Sequence, residues 1–202
     1  MSTPTLVLLS GAYLVGFGVV HSVLSMDRVK AWAKAHMGRG FAFYRLIYTL
    51  IAMGSLLGYI LLFTPYDTRL YRMPMPWMAI ALGIAGLAVL LIIWCLFFAF
   101  DGLEFIGIRQ IAALGGGRPP ETDIPLRTDG PFGWCRHPVY FATIVYLVVQ
   151  PYMTVVLMVF TVFTILYAFI GSIPEERRLL AHYGEAYAAY QRRTKRIIPF
   201  VL

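Results

Sequence analysis

Charged residues are scarce in this chain, and hydrophobic residues are abundant. Only 13% of the 202 residues are charged, and 59% are hydrophobic. A soluble domain is typically about 25% charged and about 45–50% apolar. Because the apolar surplus lies in long runs, the composition excludes an ordinary soluble enzyme and indicates an integral membrane protein.

Two familiar kinds of functional motif are also missing. The two cysteines, Cys95 and Cys135, have no metal-ligand spacing, so we predict no metal site. The glycine-rich stretch "LGGGRPP" lacks the flanking strand and helix of a dinucleotide-binding motif. Acidic residues are outnumbered by basic ones and the net charge is +7, but the basic residues lie between apolar runs. We therefore predict no nucleic-acid partner.

Four apolar runs are long enough to cross a bilayer, which takes about 20 helical residues. They are residues 6–25, 43–63, 77–100 and 152–173. A fifth run, residues 139–149, is shorter and is followed by Gln150 and Pro151. Proline disfavours a straight helix through its position because it has no N–H. We therefore predict a tight helical hairpin over residues 139–173, which makes five spans.

The placement of basic residues supports five spans. Cytoplasmic loops carry the excess of lysine and arginine. Five basic residues follow the first span, four follow the third and six lie in the tail, whereas only Arg69 and Arg72 follow the second. With five spans, the three basic segments share one side. We predict that this side is the cytoplasm, with the N-terminus outside and the C-terminus inside.

These patterns predict an all-α fold: a polytopic membrane helix bundle with five transmembrane helices, a tight C-terminal hairpin and a cytoplasmic amphipathic tail. Residues 1–202 are predicted to form a single membrane domain, with three spans in residues 1–100 and the core that carries the chemistry in residues 101–202. Small residues at helical spacing predict two close helix contacts in lipid. They are Gly54 and Gly58 in one stripe, and Ala79, Gly83 and Gly86 in another.

Polar residues gather in two segments, 101–138 and 174–202, that flank the hairpin. In the first, "GPFGWCRHP" predicts a turn that leads into a helix at Pro138, where a missing N–H costs nothing. Arg136 and Trp134 suit a membrane-interface anchor as well as a ligand site. The residues alone do not distinguish an interface anchor from a ligand site.

In the second segment, Glu175 and Glu176 stand side by side. Ser172, three residues before Glu175, fits a capping box at a helix start. Gly184 is predicted to end the helix with a left-handed cap. Beyond it, Tyr187 and Tyr190 are spaced to share one side of a further short helix.

Together the two segments resemble the C-terminal core of the isoprenylcysteine carboxyl methyltransferase-like membrane methyltransferases. In that family "GPFGWCRHPVYF", an apolar hairpin and "PEERRLLAHYGEAYAAYQRRTKRIIPF" have counterparts in the same order. The stretches "VVHSVLS" and "FDGLEFIGIRQ" resemble the branch of methanethiol S-methyltransferases and NnrU-like proteins. The C-terminal matching residues are Gly130, Pro131, Arg136, His137, Pro138, Tyr140, Glu175, Glu176, Leu180, Tyr183, Gly184, Tyr187, Tyr190 and Pro199.

The resemblance implies an S-adenosylmethionine-dependent methyltransferase whose catalytic core lies in residues 101–202. The acceptor would be a carboxylate or a thiol, isoprenylcysteine-like or small, at the membrane–cytoplasm interface. Arg136 and Glu176 take catalytic roles by this resemblance. The implied cofactor pocket consists of His137, Tyr140, Glu175, Glu176, Leu180, Tyr183 and Tyr187.

Three further residues are candidates for contacts with substrate: His21, Asp101 and Glu104. A histidine in an apolar span is costly unless paired, which favours a functional role, but His21 lies near the span end and a structural role is equally open. Asp101 and Glu104 either line the acceptor entry or pair with Arg45 or Arg109.

Two alternative functions stay open for the chain. Sterol reductases share part of the C-terminal pattern, which allows a membrane reductase that uses NADPH. A non-catalytic NnrU-like membrane protein is the other alternative. In each case the expected partners are membrane lipids and, for the enzymes, a small lipophilic or thiol substrate; the sequence predicts no oligomeric state.

Overall fold

The computed structural model describes residues 1–99, 101–116 and 125–201, except the side chain of Ala99. Phe100, Arg118 and most of "LGGGRPP", to which the predictions above refer, lie outside these residues. Contacts between Cα atoms divide the chain into two compact units. The first unit is Met1–Thr68 with Phe100–Asp123, and the second is Arg69–Ala99 with Ile124–Leu202.

Helices make up most of the described residues. In chain order the α-helices are α1 (Thr3–Ser25), α2 (Asp27–Met37), α3 (Tyr44–Phe63), α4 (Met75–Trp94), α5 (Gly102–Ile106), α6 (Ile108–Ala112), α7 (Pro138–Val148), α8 (Val155–Tyr183) and α9 (Glu185–Arg193). Short 3₁₀ segments cover Gly38–Phe43, Thr64–Tyr66, Ala113–Gly115 and Gly130–Gly133, and a π-helical segment covers Cys95–Ala99. Two short strands, β1 (Arg69–Arg72) and β2 (Tyr152–Thr154), pair antiparallel.

Four helices are long and apolar enough to cross a membrane, namely α1, α8 and the helices that contain α3 and α4. The fifth predicted span corresponds to α7, a shorter apolar helix of 11 residues. At about 1.5 Å per residue, α7 covers only about half of a hydrocarbon core about 30 Å thick. The predicted all-α fold class of a polytopic membrane helix bundle is confirmed, with its fifth span shorter than a full crossing.

The turn of the C-terminal hairpin, between α7 and α8, is held by a small sheet that the sequence did not predict. Strand β2 follows Pro151 directly and pairs with β1, in the register Arg72 opposite Tyr152 and Arg69 opposite Thr154. Pro151 has no N–H, but its carbonyl accepts a hydrogen bond from Met73 N, 2.9 Å away. The hairpin turn is therefore tied to the segment before α4.

Helix α8 runs through Pro174 without a break, so the predicted helix start at Ser172 is wrong. Ser172 is fully buried, and its hydroxyl donates to the Phe169 carbonyl, 3.0 Å away, as in a helix interior. With 29 residues, α8 measures about 43 Å at about 1.5 Å per residue. Its last turns, which carry Glu175 and Glu176, therefore extend beyond the length that a bilayer core of about 30 Å requires.

Of the predicted close contacts at small residues, only the one at Gly58 is confirmed. Helix α1 packs against α3, and a Cβ added to Gly58 would lie 2.7 Å from the Tyr13 hydroxyl oxygen, so Gly58 permits this close contact. A Cβ added to Gly54, its predicted partner, would have nothing within 4 Å. The predicted stripe on α4 is wrong: Ala79, Gly83 and Gly86 are exposed, and the face that α4 buries carries Ala81, Ala85 and Ala88.

Candidate functional site

A mostly enclosed ion pair lies where the start of α7 meets the last turns of α8. Arg136 Nε donates to Glu176 Oε1 at 2.6 Å and Arg136 Nη2 donates to Oε2 at 3.0 Å, a bidentate arrangement. The side chains are 10% and 12% exposed. The guanidinium also donates through Nη1 to the carbonyls of Gln191 and Thr194. Both predicted catalytic residues are thus bonded to each other.

His137 connects this ion pair to the neighbouring carboxylate. Its Nε2 lies 3.3 Å from Glu176 Oε1, and its Nδ1 lies 3.7 Å from Glu175 Oε2. Tyr140, one turn into α7, donates its hydroxyl to Glu175 Oε2 at 2.8 Å. The His137 and Tyr140 rings stack with centroids 5.2 Å apart. We call these five residues, Arg136, His137, Tyr140, Glu175 and Glu176, the polar cluster.

The two carboxylates of the polar cluster differ in what they can still bind. Glu176 is almost completely enclosed, and Gln191 Nε2 donates to its Oε2 at 3.1 Å in addition to the bonds from Arg136. The Glu175 side chain is 43% exposed. A group that approaches from solvent therefore meets Glu175 first, while Glu176 holds the cluster together.

The C-terminal tail fixes the loop that precedes α7. Gly184 ends α8 as predicted, with a positive φ of 56°, although its ψ of −130° lies outside the predicted left-handed cap. After α9 the chain returns, and Lys195 O accepts from Arg136 N at 2.8 Å, while Arg196 O accepts from His137 N at 3.0 Å. We call residues 194–197 the tail strap. The backbone of Arg136 and His137 is positioned by the strap and not by its own loop alone.

Cys135 begins this pairing in a bridge with Lys195 and is fully buried. Burial raises the pKa of its thiol to about 11. A thiol that stays protonated is a poor nucleophile. Cys135 is therefore a packing residue of the strap contact.

The predicted tyrosine pair of α9 is buried as the helical spacing indicated, but its two hydroxyls differ. Tyr190 donates to the Phe132 carbonyl at 2.6 Å, and burial raises the pKa of Tyr190 to about 12. Tyr187 is 1% exposed, and its hydroxyl finds no hydrogen-bond partner in the described part of the chain. Burial, followed by the nearby Glu176 charge, raises the pKa of Tyr187. A buried hydroxyl without a hydrogen-bond partner lowers the stability of the fold. The Tyr187 hydroxyl is therefore suited to hydrogen-bond a ligand or a water molecule.

The remaining predicted pocket residues, Leu180 and Tyr183, lie four and seven positions after Glu176 on α8. Residues at this spacing share one helix face. Leu180 is exposed and Tyr183 is half-buried. They extend the face of α8 that carries the polar cluster.

Asp101 and Glu104 lie in the first unit, at an elbow that α5 and α6 form around Gly107 (residues 101–112). Asp101 caps α5 by accepting from Glu104 N at 3.1 Å and forms an ion pair with Arg109. The hydrogen bond from the Glu104 N–H, and further the Arg109 side chain, lower the pKa of the Asp101 carboxyl. The Glu104 Oε1 atom lies 3.8 Å from Arg45 Nη1. The structure thus shows Asp101 and Glu104 in ion pairs with Arg109 and Arg45, which is one of the two alternatives predicted for them.

His21, the third predicted substrate contact, lies in α1 and pairs with Tyr48 of α3. Its Nε2 is 2.6 Å from the Tyr48 hydroxyl. Both residues border a cavity between the two helices. The polar partner of this intramembrane histidine was not predicted.

Gln191 and the tail strap are the parts of the polar cluster's surroundings that sequence reasoning missed. Gln191 stands four residues after Tyr187, so the same helical spacing that placed Tyr187 toward α8 would also have placed Gln191 there. The strap leaves no comparable pattern, because its contacts are made by backbone groups, which every residue has.

The fold and the polar cluster define a class: a polytopic helical membrane protein with an ion-paired polar site at the end of its last long helix. Among curated proteins, the chain is 28% identical to Methanethiol S-methyltransferase 1 of Bradyrhizobium diazoefficiens over 98% of this chain and 69% of that relative. It is 28% identical to Methanethiol S-methyltransferase of Pseudomonas deceptionensis, over 98% of this chain and 74% of the relative.

A third relative, Methanethiol S-methyltransferase of Mycobacterium tuberculosis, is 27% identical over 91% of this chain and 74% of its own length. No family model matches the chain, and no solved structure gives a significant match. The resemblance to the methanethiol S-methyltransferase branch, which short motifs predicted, is confirmed and extends over nearly the whole chain.

Proposed function

We propose that this protein is an integral-membrane, S-adenosylmethionine-dependent methyltransferase that methylates the sulfur of a thiol. The observation that carries the proposal is the polar cluster, in which motif residues 40 positions apart, Arg136 and Glu176, meet in one site. The names of the relatives favour a thiol over the carboxylate acceptors that the wider family resemblance also allowed.

The residues present fit the cofactor. S-adenosylmethionine has amino and hydroxyl donors, a carboxylate acceptor and a positively charged sulfur. The half-exposed Glu175 carboxylate accepts from such donors, and the buried Tyr187 hydroxyl needs an acceptor. Aromatic faces such as that of Tyr183 attract a cation by about 0.5–2 kcal/mol. The fit therefore rests on three chemically different groups of the second unit.

In this proposal Arg136 and Glu176 are positioning residues. A guanidinium has five N–H donors, and Arg136 uses four of them on Glu176 and on the carbonyls of Gln191 and Thr194. The cluster thus consumes most of the binding capacity of Arg136. We assign it the task of fixing His137 and Glu176, and assign ligand contacts to Glu175, Tyr140, His137 and Tyr187, with Leu180 and Tyr183 along the same helix face.

When bound, S-adenosylmethionine supplies an electrophilic methyl group on sulfur. The chain contributes alignment and exclusion of water, which supply much of the acceleration of such a displacement. The stacked His137 and Tyr140 rings and the strap-bound loop hold the ligand contacts rigid. Because the thiolate is the nucleophile, the acceptor must also lose its S–H proton, and water at the half-exposed Glu175 carboxylate can take it up.

The placement of basic residues supports the topology of the proposal, with the N-terminus outside and the polar cluster at the cytoplasmic surface. A small neutral thiol partitions into lipid, so membrane lipids are its expected surroundings on the way to the site. Labelling of single cysteines, introduced in the tail and in the loop after α3, with a membrane-impermeant reagent tests the orientation. Labelling of the tail in intact cells would place the tail outside and so contradict the proposed orientation.

Calorimetric titration with S-adenosylhomocysteine tests the cofactor. We expect the detergent-purified protein to bind it, Glu175→Gln to bind at least tenfold more weakly, and Glu185→Gln to bind normally. Glu185 is a matched control because its ion pair with Arg192 lies at the surface, with side chains 80% and 66% exposed. Absence of binding at millimolar ligand, or binding of NADPH in its place, would refute the methyltransferase proposal.

Transfer of a labelled methyl group to a panel of small thiols, an isoprenylcysteine and phospholipids tests the acceptor. We expect label in the small thiols. Label confined to the isoprenylcysteine or to lipid would keep the cofactor and replace the acceptor.

A further inference from the structure

The end of α8 shows where the tail strap lies relative to the bilayer. About 20 helical residues cross a hydrocarbon core, and Glu175 follows Val155, the first residue of α8, by 20 positions. The polar cluster therefore lies at the edge of the bilayer. The tail strap accepts hydrogen bonds from Arg136 N and His137 N, so it lies at the same level.

The side chain of Arg196 in the tail strap reaches back toward the membrane. Its guanidinium carbon, Cζ, lies 5.8 Å from the centroid of the Phe169 ring. Phe169 precedes Glu175 by six positions, which is about 9 Å along a helix and leads into the apolar part of α8. Its neighbours Leu166 and Ile170 are exposed, as expected of side chains that face lipid. Long basic side chains at this depth lie along apolar surface and keep their charge among the lipid headgroups.

The turn that follows the tail strap exposes a large apolar side chain. Val201 N donates to the Ile198 carbonyl at 3.2 Å, and Phe200 between them has a φ of 65°. This is the left-handed position that glycine usually takes in a type II β-turn, with proline before it. Phe200 is nevertheless 81% exposed, so packing against the described part of the chain does little to offset the unfavourable backbone. Contact with an apolar surface outside the chain would offset it.

The segment that carries this turn is positively charged. Residues 186–201 contain four basic residues and no acidic one. Arg192 shares an ion pair with Glu185. Lys195 is exposed, and Arg196 lies over the aromatic ring in α8. Basic residues beside an exposed apolar group are the combination that binds the interface of an anionic membrane.

We infer that residues 195–201, the tail surface, bind anionic lipid headgroups. Lys195 and Arg196 supply the charge for the lipid phosphate, and Phe200 enters the boundary between headgroups and acyl chains. The carbonyls of Lys195 and Arg196 also hold the loop before α7, so the same segment connects the membrane surface with the backbone of the polar cluster. The inference does not depend on the reaction proposed for the cluster.

A nitroxide spin label at Phe200→Cys tests the depth of the turn in lipid nanodiscs. Cys95 and Cys135 are fully buried, and the unmodified protein measures any label that they take up. We expect the label at position 200 to collide more often with oxygen, which dissolves in lipid, than with a water-soluble nickel chelate.

Glu185→Cys is the control for depth, because the Glu185 side chain is acidic and 80% exposed. Its label should collide more often with the nickel chelate than with oxygen. A label at position 200 that is as accessible to the chelate as the label at position 185 would overturn the inference.

Competition between spin-labelled phosphatidylglycerol and phosphatidylcholine for the protein tests the lipid charge. We expect a preference for phosphatidylglycerol, and Arg196→Glu should reduce it by about fivefold or more, since one basic residue near an anionic surface contributes a factor of about five. Arg196→Lys keeps the charge and should keep the preference.

Arg192→Glu is the matched control for lipid charge. It changes the net charge by the same amount as Arg196→Glu, but the cation that it removes already pairs with Glu185. Its loss of preference should be smaller. Equal losses in Arg192→Glu and Arg196→Glu, a loss in Arg196→Lys as large as that in Arg196→Glu, or no preference in the unmodified protein would each overturn the inference.

Discussion

Two regions of the molecule carry paired charges at the ends of apolar helices, and they are held together by different forces. In the polar cluster, Arg136 and Glu176 are almost fully enclosed and share hydrogen bonds with Gln191 and with backbone carbonyls. At the elbow, Arg45 and Glu104 are 3.8 Å apart, with side chains 44% and 17% exposed. The elbow combines a close backbone approach of Gly107 to Leu46 with half-exposed ion pairs.

The difference shows that an ion pair is informative only together with its burial. Exposed pairs contribute about 0–1 kcal/mol, whereas breaking a buried pair costs about 3–5 kcal/mol because one charge is left uncompensated. A rigid, enclosed network is suited to position a ligand site. An exposed pair beside a tight turn is suited to join two elements.

The largest effect is expected from Arg136→Met. It leaves the Glu176 carboxylate enclosed without its cation, which should cost about 3–5 kcal/mol of stability. Thermal unfolding in a mild detergent measures the loss. Arg192→Met, which breaks the exposed pair with Glu185, should cost about 0–1 kcal/mol.

The double change Arg136→Met with Glu176→Met should recover much of this loss, because an apolar pair can replace a buried ion pair at little cost. If Arg136→Met is no more destabilising than Arg192→Met, the polar cluster is not an enclosed network.

The next largest effect is expected from Gly107→Ala at the elbow. Gly107 has φ of 94°, and a Cβ would lie 2.5 Å from Leu46 N. Left-handed backbone costs about 1–2 kcal/mol for a residue with a Cβ, and overpacking adds about 1–3 kcal/mol. The unfolding temperature should fall clearly.

Gly116→Ala separates the two contributions at the elbow. Gly116 has a similar φ of 85° but nothing within 4 Å of a Cβ, so it should show only the cost of backbone conformation. Equal losses in Gly107→Ala and Gly116→Ala would mean that the close contact with Leu46 is unimportant.

A smaller effect is expected from Gln191→Ala, which removes one hydrogen bond to the Glu176 carboxylate. Hydrogen bonds to charged groups contribute about 1.5–3 kcal/mol. If Gln191 positions the site, affinity for S-adenosylhomocysteine should fall along with stability, and Gln191→Glu should be worse than Gln191→Ala because two carboxylates would then face each other. Better binding by Gln191→Glu than by Gln191→Ala would argue against this role.

The smallest effect is expected from Glu104→Gln. Its ion pair with Arg45 is long and partly exposed, so stability should change by about 0–1 kcal/mol. Arg45 would keep its hydrogen bond from Nε to the Phe105 carbonyl, 3.0 Å away. A loss as large as that of Arg136→Met would show that the two regions do not differ as proposed.

Several features could be predicted because they depend on local sequence. Apolar runs predicted α1, α3, α4 and α8, and helical spacing predicted the buried side of α9 with Tyr187 and Tyr190. Pro151 was expected to end a helix, and α7 stops before it. Prediction failed at Pro174, where the helix continues past a proline. There Glu175 contacts Tyr140 of α7, and Glu176 contacts Arg136 in the loop before α7.

The sequence by itself determined where the apolar helices lie and which polar motifs flank the hairpin, because length, hydropathy and proline act within a few residues. Tertiary structure alone decided that Arg136 pairs with Glu176, that Glu175 remains accessible, and that the tail strap and the β1–β2 pair hold the two ends of the hairpin region. It also decided that α4 buries Ala81, Ala85 and Ala88 in place of the predicted stripe. The reason is physical: partners far apart in sequence are selected by complementary shape and charge, which no single segment contains.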